Sequence, residues 1–469
     1  MSEDHNILCR QVKTVKDCIH GYIPLTYFAI NIIDTKYFQR LRDLNQLGTC
    51  KYVFPNAVHT RFEHSIGTYY LAGEILKTLV SETDPKSIYK YLENIPELKR
   101  YYNATYEGLV HPMDLYVCEL IKIAALCHDL GHGPFSHVFD DIFLPSIGKD
   151  DCYCSTHEER SGVLLELIIK QNDILSSLIH DDEIRFIKTL INPSKKHIGF
   201  MYQLVSNTMT GLDVDKYDYL QRDIHSLDFS AKVDTSRLIK HVKIIDNNLV
   251  YPEQAVHDIY NLFHTRHLLH VQVYCHKVTI STQFAVVEIF SLLDDILGIS
   301  ESIEDMDKFC EQTDSYILNS IKMIEKFKHH LTDEQLIRFN KAKVILHNLE
   351  TRNLYSVVYH FVTKDKMDFK SIISEFPDKD DILVFQNRVG FVSGDKPNPL
   401  DSIYVYKTKD STKIACELKT YRKKKEKITI LMPSVYQECI ITIYYKNKHN
   451  TKRITELYEY FDNMFGEKL

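Results

Sequence analysis

The stretch Cys127-His-Asp-Leu-Gly-His-Gly-Pro-Phe-Ser-His137 places three histidines and an aspartate within eleven positions, directly after an almost purely apolar run. The preceding segment, Leu115-Tyr-Val-Cys-Glu-Leu-Ile-Lys-Ile-Ala-Ala-Leu126, is apolar on most of its circumference, the pattern of a helix that runs through a core. Asp114 is positioned as its N-cap and Gly131 as its stop. An ionised aspartate beside a histidine at the end of a buried helix is costly unless a partner charge or a metal compensates it. The compensating groups must come from elsewhere in the chain.

Composition narrows the setting. The chain has 469 residues, 44% hydrophobic and 26% charged, ordinary globular material with room for one large core and a smaller domain. No stretch reaches the roughly 18 uninterrupted apolar residues of a membrane span. The start, Met1-Ser-Glu-Asp-His-Asn6, lacks the basic and apolar regions of a secretory signal. The expectation is an intracellular protein, cytoplasmic rather than nuclear, with no membrane partner. Eleven cysteines without repeated C-x-x-C pairs fit reduced thiols, Cys152 and Cys154 being the one close pair. A net charge of -7 argues against a general polyanion binder, so nucleic acid is not an expected partner.

Periodicity divides the chain into a mostly helical body to about residue 350 and a small C-terminal α/β lobe over 351–469. Helical patterns run over Ser65–Leu79, Arg160–Gln171 and Thr265–Leu297. Strand signals come late, at Asp401–Tyr406, Ile428–Met432 and Cys439–Tyr445. The polar, Tyr-rich stretch at about 81–112 reads as an inserted surface hairpin or short helices near the rim of the site. The basic run Tyr421–Lys427 reads as a solvated turn, with a localisation or nucleic-acid signal as the alternative.

Two further stretches compensate the opening motif. Arg61-Phe-Glu-His64 supplies a histidine, and Asp213-Val-Asp-Lys216 supplies an aspartate. The order His64, His128-Asp129, Asp215 gives two imidazoles and two carboxylates, a ligand set for a divalent ion such as Fe, Mn, Zn or Mg. This is the pattern of the HD phosphohydrolases. His137 and Asp140, three apart, can share a helix face so that the carboxylate orients the imidazole, and His157 is a second proton donor. Ser155 is positioned as N-cap of the helix that His157 enters, with Glu158 closing a capping box. His132 reads equally as a supporting histidine or a substrate contact. Asp215, Tyr219 and Asp223 fall on one helix face, while Asp213 and Asp218 read as a solvated acidic surface. Arg61, Lys216 and Arg266 supply cations for a polyphosphate.

The chain resembles the catalytic core of the SAM-and-HD-domain deoxynucleoside triphosphate triphosphohydrolases. The matching stretches include Asp17-Cys-Ile-His-Gly21, Ile33–Arg42, Gln46-Leu-Gly48, Tyr52-Val-Phe-Pro55, Arg61–Ser65, the opening motif, Phe263-His-Thr-Arg266, Tyr274-Cys-His-Lys277 and Lys396–Leu400. The resemblance implies an HD helical fold and the removal of the whole triphosphate from a deoxynucleoside triphosphate by attack at the α-phosphorus. It implies metal ligands His64, His128, Asp129 and Asp215, with His137, Asp140 and His157 assisting. It implies a triphosphate grip by Arg61, Lys216 and Arg266, a 3′-hydroxyl read by Gln46 and Asp223, and a 2′ side closed by Leu47, Tyr219 and Tyr274. His132 and His270 join this substrate set. A packed tyrosine leaves a 2′-hydroxyl neither room nor partner.

The resemblance also implies a guanine-nucleotide activator, GTP or dGTP, at Lys13, Asp34, Gln39 and Arg42, with Lys366 where the family has an arginine. A second regulatory nucleotide is expected to matter less, because Val250-Tyr-Pro-Glu-Gln-Ala255 carries no cation. A homo-oligomer follows, a tetramer by analogy. No SAM domain is expected before the matching core. Two other readings stand beside this one: an HD enzyme acting on cyclic nucleotides or monophosphates, and a nucleic-acid-binding or scaffold protein on the HD fold.

Overall fold

The computed structural model describes residues 3–390, 401–407, 420–422 and 437–466. The expected strand Ile428–Met432, the motif Lys396–Leu400 and most of the basic run lie outside them. Among the described residues the fold is mostly α, with three small sheets. No described helix is long and apolar enough to cross a membrane.

The apolar segment of the opening motif is a helix, Leu115–Cys127, capped by Asp114, whose Oδ1 accepts from Val117 N at 2.9 Å. Gly131 is not its stop. The helix ends with His128 in right-handed conformation, and Gly131 serves close approach instead: a Cβ there would collide with the backbone at His157 and Ser161. Helix Arg61–Glu82 packs along this helix and is crossed by helix Val214–Leu227. Gly67 makes that crossing possible, because a Cβ there would overlap Asp218 and Arg222.

The pattern read over Thr265–Leu297 is two helices, Val256–Leu269 and Lys277–Leu297. A wide turn at His270–Tyr274 separates them, and the His276 side chain caps the second by accepting from Val278 N at 3.2 Å. Such turns gather at functional sites, and this one carries two of the expected substrate residues.

The stretch at 81–112 forms two short helices, Pro85–Leu92 and Lys99–Tyr106. It is neither wholly superficial nor at the site's rim. Tyr101 and Tyr102 are fully buried, and the hydroxyls of Tyr101 and Tyr106 donate to Asp114 Oδ2 at 2.5 and 2.7 Å. The element thus clamps the start of helix Leu115–Cys127, roughly 20 Å from His128 at 1.5 Å per residue.

Strands β1 (Gln11–Asp17) and β2 (Gly21–Thr26) form an antiparallel hairpin. Strands β3 (Lys243–Ile245) and β4 (Asn248–Pro252) continue into β7 (Tyr404–Tyr406) and β8 (Thr420–Arg422), with β4 and β7 parallel. Tyr404–Tyr406 therefore pairs with the helical body, and Ile403 and Val405 enter its core. In the third sheet β9 (Gln437–Tyr445) lies between β5 (Ser356–Thr363) and β6 (Ile382–Gly390). Helix Thr451–Phe465 covers β5, and Phe361, Ile441, Leu457 and Phe461 form a separate small core there.

Candidate metal centre and substrate pocket

His64, His128 and Asp215 each bring one ligand atom to a common point, all within 4.8 Å of one another. The imidazoles arrive oriented. His128 Nδ1 lies 2.8 Å from the Ala125 carbonyl, which can only accept, so Nδ1 carries the proton and Nε2 offers its lone pair. His64 Nδ1 donates to Asp218 Oδ2 at 2.8 Å, with the same result. Both Nε2 atoms are buried without a hydrogen-bond partner, which suits a metal and little else. Asp129 stands 3.4 Å from each of them and is engaged by Arg61 Nη1, while Asp215 is 3.2 and 3.6 Å from them. Burial would lower the His64 pKa, but Asp215, Asp218 and Asp129 outweigh it and push it up to about 10, so a cation at Nε2 would take the place that a proton otherwise fills. The geometry favours positive charge at this point, and the donor set fits a divalent ion.

Asp213 and Asp218 are not a solvated face. Asp213 is 4% exposed and is the N-cap of helix Val214–Leu227; Asp218 is 0% exposed. The reading of Asp218 as a solvated carboxylate fails because it is enclosed by donors: His20 Nε2 at 2.6 Å, His64 Nδ1 at 2.8 Å, and Arg222 Nε and Nη2 at 2.8 and 2.9 Å. Arg222 Nη1 reaches on to Asp17 at 2.9 Å. Reading residues one at a time hid this network; the signal was Asp218 and Arg222 four apart, a pairing that holds buried charges.

His137, Asp140 and His157 are arranged differently from expectation. Asp140 does not orient His137. Its Oδ2 lies 2.9 Å from His157 Nδ1, and its Oδ1 accepts from Arg160. His137 is exposed and faces Asp141 at 3.3 Å, because the backbone over 139–143 is a wide turn that rotates Asp140 inward. The N-cap of helix His157–Gln171 is Thr156, which accepts from Glu159 N, rather than Ser155. His132 stacks on His157 with ring centroids 3.8 Å apart and contacts Asp129 at 3.2 Å. Burial, with Arg61 and His157 nearby, holds His132 well below its usual pKa, hence neutral. Two buried arginines fix the backbone between them: Arg160 Nε donates to Gly131 O at 2.8 Å and Arg40 Nη2 to His132 O at 2.6 Å.

Beside this cluster lies a second group of polar and aromatic side chains. Tyr274 donates to Asp223 Oδ2 at 2.5 Å, and His59, absent from the sequence reading, meets Asp223 Oδ1 at 2.8 Å. Gln46 Oε1 is buried without a hydrogen-bond partner, and Leu47, Tyr219 and Tyr274 pack partly buried against the core. Lys216 Nζ rests 3.2 Å from Asp213, Arg266 Nη1 donates to Gly390 O at 2.8 Å, and the His270 ring stands 4.8 Å from that of Tyr274. Burial and the Arg266 charge hold His270 well below its usual pKa.

Lys13, Asp34, Gln39 and Arg42 line one cavity of about 330 Å³ together with Asp17. Arg42 stacks over Phe62 at 3.5 Å and donates to Gln39 at 2.8 Å. Lys366 is exposed beyond β5 and does not line it. Asp17 therefore belongs both to this wall and to the ion-pair chain Asp17, Arg222, Asp218, His64 that ends at the metal centre.

No protein-family model matches the chain. It is similar to a putative HD domain-containing protein of Acanthamoeba polyphaga mimivirus, 38% identical over 401 residues that cover 83% of each chain. The deoxynucleoside triphosphate triphosphohydrolase SAMHD1 homolog of Dictyostelium discoideum is 33% identical over 94% of this chain and 79% of its own. The human deoxynucleoside triphosphate triphosphohydrolase SAMHD1 is 31% identical over 96% and 73%. With the HD centre in place and relatives of this extent, the chain belongs to the SAMHD1 family of deoxynucleoside triphosphate triphosphohydrolases.

Proposed function

We propose that this chain hydrolyses deoxynucleoside triphosphates to deoxynucleoside and inorganic triphosphate in a divalent-metal-dependent reaction. The observation that carries the reading is the pair of partnerless buried Nε2 atoms of His64 and His128 converging with Asp215. Asp129, 3.4 Å from both Nε2 atoms and engaged by Arg61, would complete the ligand set. A divalent ion bound there lowers the pKa of water and screens charge on a phosphoryl oxygen.

The protein's own residues do the rest. Arg61, Lys216 and Arg266 neutralise the triphosphate. Water attacks the α-phosphorus, the bond to the sugar 5′-oxygen breaks, and the leaving oxygen needs a proton. Asp140, held ionised by Arg160 and His157 against the cost of burial, fixes the Nδ1 proton of His157 and so aims its Nε2 for proton transfer. Stacked His132 limits rotation of that ring. His137, exposed at the edge, meets substrate from the rim. Gln46 and Asp223 take the 3′-hydroxyl, and Leu47, Tyr219, Tyr274 and His270 enclose the sugar.

The cavity at Lys13, Asp34, Gln39 and Arg42 takes a guanine nucleotide, because a carboxylate and an amide can read the guanine edge while cations meet phosphates. Lys366 joins it only if supplied across a homo-oligomer, which we take to be a tetramer. We take the protein to act inside the cell, with a body to about residue 350 that Ile403 and Val405 rejoin and a lobe built on β5, β6 and β9. Incubation of purified protein with each deoxynucleoside triphosphate and a divalent metal, with chromatography of the products, tests the reading. Triphosphate and deoxynucleoside are expected; diphosphate, monophosphate or no product removes it.

A further inference from the structure

We propose that His59 is a positioning residue that sets the enzyme's demand for a sugar 3′-hydroxyl, by holding Asp223 in the orientation that receives it. The inference rests on the reading of the Asp223 pocket as the sugar subsite.

Asp223 is 1% exposed, so water does not fix its orientation. Among the described residues its carboxylate is held from two sides, by His59 Nε2 on Oδ1 at 2.8 Å and by Tyr274 Oη on Oδ2 at 2.5 Å. The two restraints differ in kind. Tyr274 lies in the wide turn between two helices. His59 is fixed through its backbone: its carbonyl accepts from Gln46 N at 2.9 Å, and the next residue, Thr60, bridges to Asn45. Asn45 is anchored in turn by Asp314, with bonds of 3.1 and 2.6 Å. A single short segment therefore sets both His59 and Gln46, whose Oε1 is buried without a partner.

The chemistry follows from lone-pair counting. A carboxylate accepts and does not donate, and each oxygen has two acceptor directions. His59 and Tyr274 use one on each, leaving a direction on each oxygen for a ligand. Gln46 Oε1, on the residue whose backbone bonds to His59, adds another buried acceptor. The group that satisfies such a set is a donor, and a sugar hydroxyl supplies one. A substrate lacking it leaves buried acceptors unpaired, the situation in which polar sites discriminate most strongly. Without His59, Asp223 keeps only the Tyr274 restraint and can turn about its side-chain bonds, and the discrimination weakens.

The test is the ratio of kcat/KM for a deoxynucleoside triphosphate over its 2′,3′-dideoxy counterpart, measured in the wild type, His59→Ala and His59→Gln, with bound metal quantified in each. The wild type should prefer the deoxy substrate by roughly 10- to 100-fold. His59→Ala should bring the ratio to within about threefold at wild-type metal content, and His59→Gln, whose amide reaches where Nε2 does, should restore most of it. An unchanged ratio in His59→Ala overturns the proposal, as does a ratio lost together with metal. A wild type indifferent to the 3′-hydroxyl overturns the sugar-subsite reading itself, a separate failure. If His59→Ala does not fold, His59→Gln and the shorter His59→Asn decide: equal ratios in the two overturn the proposal.

Discussion

Asp218→Asn keeps the shape of a buried side chain and removes its charge. Asp218 accepts four hydrogen bonds, and Oδ2 serves both His64 Nδ1 and Arg222 Nε, while Oδ1 serves His20 and Arg222 Nη2. An amide retains one oxygen, so whichever way it faces, two donors meet its NH₂ group instead of an acceptor. Breaking a buried ion pair costs about 3–5 kcal/mol, and Arg222 keeps Asp17 as a partner, so the lower end, roughly 3 kcal/mol of stability, is expected. The loss most specific to function falls on His64. Groups that orient a metal-ligating histidine are worth about 10–100-fold in metal affinity, or roughly 1.4–2.8 kcal/mol. Competition with a chromogenic chelator gives the metal dissociation constant, and circular dichroism establishes that the variant is folded. A folded Asp218→Asn protein with wild-type metal affinity would refute the reasoning, since it would mean that His64 needs no orienting partner.

Asp215→Ala, and the double change His128→Ala with Asp129→Ala, should abolish both metal retention and hydrolysis, read by metal content and product formation. His157→Ala should retain metal and lose on the order of 10² to 10⁴ in rate; loss of metal instead would contradict the placement of this ring beside the centre. Tyr274→Phe should preserve discrimination against ribonucleotides because the ring remains, while Tyr274→Ala should lose it, read as the deoxy-to-ribo ratio of kcat/KM. Glu183, 1% exposed, has its pKa pushed by burial from 4.5 to about 7, the His180 backbone N–H at 2.6 Å offsetting only part of this. With the folded value the higher, its contribution is complete below pH 4.5 and is lost as pH rises through 7, a change of roughly 3 kcal/mol. Glu183→Gln should flatten that part of the profile, measured as unfolding midpoints at pH 5.5 and 8.

Helix periodicity and motif order made the convergence of His64, His128 and Asp215 legible: the apolar run ending in His128-Asp129 called for compensating groups, and the structure brings His64 and Asp215 to it. What failed was local. Asp140 lies three residues from His137, but it sits in the wide turn Phe139–Phe143 and faces His157 instead. Asp213 and Asp218 looked solvated because carboxylates usually are; Asp213 is instead held by the backbone N–H groups of Asn207 and Lys216, and Asp218 by His20 and His64 from other elements and by Arg222 one turn along its own helix. His59 carried no signal of its own, since its partner lies 164 residues away. The break at His270–Tyr274 lacked a proline or glycine to announce it.

The chain of Asp17, Arg222, Asp218 and His64 has a bearing on how this protein can evolve. Its three ion-pair members are each less than a tenth exposed, so none has solvent to replace a lost partner. A lineage that loses Arg222 leaves two buried carboxylates without their shared guanidinium, and one that loses Asp218 leaves Arg222 with Asp17 alone and two imidazoles, His20 and His64, without their acceptor. Each single step is costly while the concerted replacement by apolar groups of similar volume can be neutral. These positions are therefore open to joint change and closed to gradual drift, and because one end is a cavity wall and the other orients His64, drift in the first is restrained by the demands of the second.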